Sequence, residues 1–491
     1  MEKTRHATSL VKNAFYKGLL NAFNLIIPIF TIPYLYRVLS PTSMGDFEYA
    51  NTLFSYFNLI GTLGIYTYGI REISRVRDNK DQVNKTYSAL FSVGLISNLI
   101  VYCAFVSLIL FGFSDSPLFR LLFIFSLNLV ANIFYTEWIN EAFEDFRFIT
   151  IKTAIIRLLY VSGIFILIKS PDDIWKYAAL TVSSNFLNYI SSFIYSKKYT
   201  FFKLASVKIS CDIFKVHLPA LIFILILDNS VMLYTALDRL MLGAYSESQM
   251  VAYYSVGQRV MEIVRSLLMT ITYVSLPRLS YCLGKDMALY KSGIQNLIKI
   301  GLLLAIPMAI GLGILSKNIV FLFAGEQYAA AALPLIIFSI RIITMLIENI
   351  TANQILFLHQ KEKTVAAINI LWGIGNLCAN YALLHFNIFS PATAILSTLC
   401  IEIGVLCTEF YYIKTRLHMH ITLFTKEIFK YLLFASCFLP IIYLLKLMIH
   451  NNISVLIAST ICCFIFYAAC LAWSKDETFY TIYKKLTKRQ S

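Results

Sequence analysis

Fourteen apolar stretches, most of them twenty to twenty-five residues long, follow one another between Ala14 and Trp473 with only short polar connections between them. A helix of about twenty apolar residues spans the ~30 Å hydrocarbon core of a bilayer and satisfies its own backbone hydrogen bonds there. The chain therefore reads as an all-α polytopic membrane protein. The stretches fall at about 14 to 38, 46 to 70, 86 to 112, 118 to 139, 150 to 168, 174 to 195, 216 to 241, 250 to 276, 292 to 314, 329 to 358, 364 to 386, 392 to 413, 427 to 449 and 453 to 473. Of the 491 residues 58% are hydrophobic and 14% charged, and no polar linker sets off a soluble domain.

Positive charge gives the orientation. Of the 42 Lys and Arg residues, 30 lie in the N-terminal segment, the even-numbered connections and the C-terminal tail, against 6 in the odd-numbered connections. Lys and Arg of short loops are retained in the cytoplasm, so both termini are expected there. The net charge of +15 reads as topology and as contact with anionic lipid head groups. Dispersed over many short loops, it does not build a nucleic-acid surface. The basic segment Met1 to Lys12 precedes an apolar run too long for a signal peptide and is expected to stay attached to the first span. Ten cysteines include no CxxC pair and lie mostly within spans, as with Cys103, Cys378, Cys400, Cys462 and Cys463. They are expected to be small buried hydrophobes, with neither a disulfide framework nor a metal site.

A layout recurs about 206 residues along the chain. Arg37 near the end of the first span corresponds to Arg239 near the end of the seventh, Phe47 to Tyr253, and Arg71 to Arg278. With six spans between them, the two copies enter the membrane from the same side. This is the parallel repeat of many transporters, whose substrate lies at the repeat interface. The expected architecture is two six-helix lobes related by a pseudo-two-fold axis, residues 1–200 and 201–415, followed by an additional helix pair and basic tail over 416–491.

Polar stripes run along the spans that the repeat equates. Glu48, Asn51, Ser55, Asn58 and Thr62 share one face of the second span, and Lys17, Asn21, Asn24, Pro28 and Thr31 one face of the first. The seventh carries Asp228, Thr235 and Arg239 beside Asp238. The eighth carries Ser255, Gln258, Glu262, Arg265 and Thr272 with Arg259 alongside. An ion at mid-bilayer costs about 2.5 to 3.5 kcal/mol on insertion scales, so several on one stripe point to a wet cavity; bonding from helix to helix is the alternative. Arg341 and Glu348 share a face of the tenth span, and Glu402 lies within the twelfth as a proton-titrating site or a partner for a distant Arg. No glycine-rich phosphate loop, HExxH, GxSxG or Cys/His cluster appears, and nothing calls for a cofactor.

The segment Pro33-Tyr34-Leu35-Tyr36-Arg37-Val38-Leu39-Ser40, with Gly45 and the run Gly69-Ile70-Arg71-Glu72-Ile73-Ser74-Arg75, resembles the opening of the polysaccharide-biosynthesis flippases of the Wzx type. Leu237-Asp238-Arg239-Leu240-Met241-Leu242-Gly243, Tyr253-Tyr254-Ser255 and Leu276-Pro277-Arg278-Leu279-Ser280 resemble their second-half signature. The resemblance implies the multidrug/oligosaccharidyl-lipid/polysaccharide exporter fold, working by alternating access on an undecaprenyl-diphosphate-linked oligosaccharide in the bacterial inner membrane. It also implies contacts with membrane lipids, with polysaccharide polymerase and chain-length machinery, and with a coupling H+ or Na+. Many family members have twelve spans; related lipid II flippases use an extra helix pair as a lipid-tail groove, and no motif here carries that over.

Such a substrate matches the stripes. Arg259, Arg265, Arg239, Arg37, Lys17 and Arg341 are candidate diphosphate ligands, because guanidinium groups bind phosphate through paired hydrogen bonds. Asn21, Asn24, Asn51, Ser55, Asn58 and Gln258 are candidate sugar ligands. Glu48, Asp228, Asp238, Glu262, Glu348 and Glu402 are candidates for holding the arginines or binding the coupling ion. Two other readings stand beside the flippase: a drug/cation antiporter of the same superfamily, which calls for an acidic cavity with few cations, and a membrane-embedded polymerase or glycosyltransferase, which calls for a large external loop.

Overall fold

Apolar runs this long have no water to bond their backbones, and in the computed structural model each of the fourteen stretches falls on helix. The structure describes residues 2–200, 211–423 and 425–487. The chain divides into two compact units, Met1–Asn229 and Ser230–Ser491. The first holds α1 (Glu2–Val38), α2 (Pro41–Thr62), α3 (Ile65–Val76), α4 (Lys80–Gly112), α5 (Phe119–Asn132), α6 (Glu137–Ala142), α7 (Phe146–Leu167), α8 (Ile174–Ser196) and α9 (Cys211–Asn229). The second holds α10 (Met232–Thr235), α11 (Leu237–Tyr245), α12 (Ser248–Lys285), α13 (Met287–Ile314), α14 (Ser316–Ala324), α15 (Ala332–Asn349), α16 (Glu362–His385), α17 (Pro391–Arg416), α18 (Lys426–Ser436), α19 (Phe438–Met448), α20 (Asn452–Trp473) and α21 (Glu477–Thr487). The stretch expected as the seventh span is thus shared, α9 going with the first unit and α10 and α11 with the second.

Among the described residues nine helical segments are long and apolar enough to cross a membrane. No strand occurs among them. Their outward faces are what a bilayer requires: Phe111 is 90% and Trp473 84% exposed, which water would penalise and lipid tails do not. The same reasoning corrects the expectation for cysteine. Cys103, Cys378, Cys400, Cys407 and Cys462 are exposed on their helices and Cys463 is buried, because a thiol facing lipid is already in an apolar surrounding.

Helix starts and breaks are chemically marked. Ser40 accepts the Ser43 N–H at 3.1 Å ahead of Pro41, and Asn79 accepts the Asp81 and Gln82 N–H groups at 3.1 Å, each occupying backbone donors that a first turn leaves open. The second expected span is interrupted. Leu63 (φ 48°) and Gly64 (φ 68°) are left-handed and end α2, and α3 then carries Gly69 and Arg71 onward. A Cβ at Gly64 would sit 3.1 Å from the Leu225 backbone nitrogen of α9, so glycine serves both the turn and the close approach. In the first unit Tyr68, Tyr87, Phe91 and Trp138 pack α3, α4 and α6 into one core. In the second, α15 continues as a π-helix over Ile350–Phe357, a form frequent at functional sites.

Candidate functional site

α15 and α17 face each other in the second unit with two acidic residues on one helix and an arginine and an acid on the other. Arg341 and Glu402 are each 1% exposed. The Arg341 Nε–H donates to both Glu402 oxygens at 3.0 Å, a second guanidinium N–H donates to Oε1, and Thr344 donates its hydroxyl to Oε2 at 2.9 Å. Each charge here has its compensation within reach, the condition on which a buried pair survives desolvation. Seven residues on, Thr351, within the π-helix, donates to Glu409, which is fully buried, and Glu348 is half-buried on α15. The π segment is held by Gln354, which donates to the Thr272 carbonyl at 2.9 Å and accepts on its own carbonyl from the Tyr290 hydroxyl at 2.7 Å.

Asp238 on α11 is fully buried and accepts three hydrogen bonds from neutral donors: the Tyr254 hydroxyl at 2.8 Å, the Asn380 amide at 2.8 Å and the Thr398 hydroxyl at 2.6 Å. Asn376 reinforces the set by donating to the Thr398 oxygen at 3.0 Å. The carboxylate thus joins α11, α12, α16 and α17. Its charge is offset by dipoles alone among its hydrogen-bond partners.

On α12 the expected stripe is only partly brought together. Gln258 donates to Glu262 at 3.0 Å one turn on; Arg259, Glu262 and Arg265 are half-buried, and Ser255 is buried. Arg239 on α11 is half-buried. In the first unit Glu48 is buried, Asn51 half-buried and Arg37 exposed. The Ser55 hydroxyl donates to the Asn51 carbonyl at 2.7 Å, within its own helix. Asn58 accepts from the Asn132 amide, so this stripe member bonds helix to helix. The side chains of Asn21, Asn24 and Asp228 lie outside the described residues.

Lys17 belongs to a network whose other members the sequence reading did not single out. It pairs with Glu141 at 2.9 Å, and Glu141 also accepts from the Tyr66 hydroxyl. One turn earlier on α6, Glu137 pairs with the buried Lys152, which also donates to the Ser192 hydroxyl at 2.6 Å. Tyr66, Tyr135 and Tyr189 form an aromatic row beside it. Outside the spans, Asp145 accepts from Tyr195 at 2.6 Å, Tyr199 at 2.7 Å and Lys198 at 3.1 Å. Partial burial raises its affinity for protons, but the two hydroxyls and the ammonium group outweigh this and hold it below its ordinary value.

An apolar cavity of about 520 Å³ lies in the second unit, lined by Leu303 and Pro307 of α13 together with Phe438, Cys463 and Phe464 of the last helices. The Tyr467 hydroxyl crosses to the Leu303 carbonyl at 3.0 Å and fixes α20 against α13.

Comparison with known proteins adds a family and a fold. Residues 10–283 match the family described as "Polysaccharide biosynthesis protein". The chain is 23% identical over 400 residues, covering 80% of it and 94% of the relative, to a protein of Escherichia coli (strain K12) named "Putative O-antigen transporter". It is 24% identical over 376 residues, 76% of it and 93% of the relative, to a Shigella dysenteriae protein of the same name. The fold is similar to that of the lipid II flippase MurJ in an inward closed conformation, with a TM-score of 0.72 and 17% identity over 94% of this chain and 98% of that one.

Proposed function

Because the chain belongs to the polysaccharide biosynthesis protein family, we propose that it is a flippase for undecaprenyl-diphosphate-linked oligosaccharide repeat units in the bacterial inner membrane. It supplies O-antigen, capsule or exopolysaccharide synthesis, and it is a transporter rather than an enzyme. The observation that carries the reading is the family match over residues 10–283, joined by relatives named for O-antigen transport that align with more than three quarters of the chain.

Arg259 and Arg265, with Arg239, Arg37 and Lys17, meet the diphosphate, and Asn51, Asn58 and Gln258 offer amides to sugar hydroxyls. Arg341 instead has its N–H groups turned to Glu402 and holds α15 to α17. Asp238, whose hydrogen-bond donors are all neutral, takes up the coupling H+ or Na+. The apolar cavity beside α20 suits part of a polyprenyl chain. Transport proceeds by alternating access of lobes 1–200 and 201–415, with residues 416–491 as the added pair, fourteen spans and cytoplasmic termini. The product passes to the polymerase and chain-length machinery.

A strain lacking the gene tests this. The lipid-linked repeat unit is expected to accumulate on the cytoplasmic leaflet and to disappear when the wild-type copy returns. Accumulation on the outer leaflet would place the defect after transport and remove the flippase reading.

A further inference from the structure

Two charges of opposite sign line one cavity of the second unit, and no side chain among the described residues neutralises either. The cavity, about 650 Å³, lies between the C-terminal end of α12, the N-terminal end of α13 and the first turns of α21. That volume is ligand-sized. Arg278 and Glu477 both line it and both are exposed. They lie more than 4.0 Å apart, since no salt bridge joins them. The repeat makes the contrast informative: Arg71, the counterpart of Arg278, bonds Glu72 at 3.1 Å and lies over the Tyr68 ring at 5.1 Å. Among the described residues Arg278 has no such partner. Lys299, the other cation of the cavity, sits 3.8 Å from Glu427.

The remaining walls are mixed, with Ser275, Ser292 and Asn296 beside an apolar strip. Ile271, Val274, Leu279 and Leu289 form that strip, and Val274 is 76% exposed. The roof is anchored, because Asp476 caps α21 through the Phe479 N–H at 2.9 Å and accepts the Tyr431 hydroxyl of α18 at 3.2 Å. The exposed Trp473 immediately before it marks the interfacial level, where tryptophans concentrate. A cation and a carboxylate held apart beside an apolar strip at headgroup depth fit an amphiphile whose head carries both charges.

We propose that this cavity binds one phosphatidylethanolamine molecule of the adjoining leaflet, its phosphate on Arg278, its ammonium on Glu477 and its acyl chains along the apolar strip. Phosphatidylglycerol offers Glu477 only neutral hydroxyls, without the charge-assisted bond of an ammonium, and the quaternary ammonium of phosphatidylcholine has no N–H to donate. The assignment is independent of what the protein transports.

Native mass spectrometry of the purified full chain in micelles carrying equal amounts of these three lipids tests it. The wild type is expected to retain phosphatidylethanolamine preferentially. Arg278→Ala should lower that retention by up to about fivefold, the scale of one exposed ion pair, and Arg278→Lys should keep most of it. Glu477→Gln should keep lipid bound while erasing the preference over phosphatidylglycerol. Both side chains are exposed, so unchanged melting temperatures are expected to exclude misfolding. Equal retention by wild type and Arg278→Ala, an unchanged headgroup ratio in Glu477→Gln, or displacement of the lipid by excess undecaprenyl phosphate would each overturn the proposal.

Discussion

Arg341 and Glu402 illustrate how a charge becomes tolerable inside an apolar bundle: each is the other's counter-ion, and Thr344 occupies a remaining lone pair. Removing one partner should therefore be worse than removing both. Arg341→Ala is expected to destabilise the protein by about 3–5 kcal/mol, and Arg341→Met with Glu402→Leu to recover most of it. Unfolding of the detergent-solubilised variants checks this; an additive double variant would contradict the pairing. Asp145 gives a pH prediction. Its proton affinity is depressed in the folded protein, so its contribution is present above the ordinary carboxylate value of about 3.9 and is lost as pH falls through the lower folded value. The melting temperature of Asp145→Asn should lie below that of the wild type at neutral pH and meet it in that acid range; a gap that persists there would refute it. Both Arg341 and Glu402 stand out in the sequence as intramembrane ions, but their pairing does not, because 61 residues separate them and no periodicity connects two helices. Asp238 finds Asn380 and Thr398 at still longer range. Glu409 was missed near the end of its span, where an acid reads as interfacial. A signal existed: Glu402 and Glu409 are seven apart, matching Arg341 and Glu348 on the facing helix.

At the scale of elements, hydropathy shows where helix must be and is silent on where its backbone is interrupted. The all-helical character of the apolar stretches was legible because a bilayer leaves an apolar run little alternative to helix. The break at Leu63 and Gly64 was not, since both sides are equally apolar and the reason for it is the close approach of α9. Glu137, Glu141 and Lys152 were passed over because they sit at the edges of expected spans, where charged residues ordinarily face water. Gly64→Ala should cost about 1–2 kcal/mol through the left-handed backbone alone, with the Leu225 contact adding to it. Gly18→Ala, where a Cβ meets nothing within 4 Å, should be near neutral. Thermal unfolding of the two variants side by side measures the difference, and equal stability would remove the structural reason given for the break.

For the whole molecule, the distribution of 30 against 6 basic residues predicts that reporters fused after Lys85, Lys208 and Ser491 lie in the cytoplasm and one after Glu247 outside; an odd number of spans would contradict both the topology and the repeat. The central claim concerns what crosses the membrane. The most direct measurement reconstitutes the purified protein in vesicles with a fluorescent undecaprenyl-diphosphate-linked oligosaccharide in the inner leaflet and follows its exposure to a membrane-impermeant quencher outside. The account predicts exposure with the wild type, little with empty vesicles, and loss with Arg259→Ala or Arg265→Ala, with Lys at either position restoring only part because a point charge lacks the bidentate geometry. Lipid-linked glycan that stays protected in vesicles holding folded wild-type protein, while a small cationic drug is carried across, would contradict it.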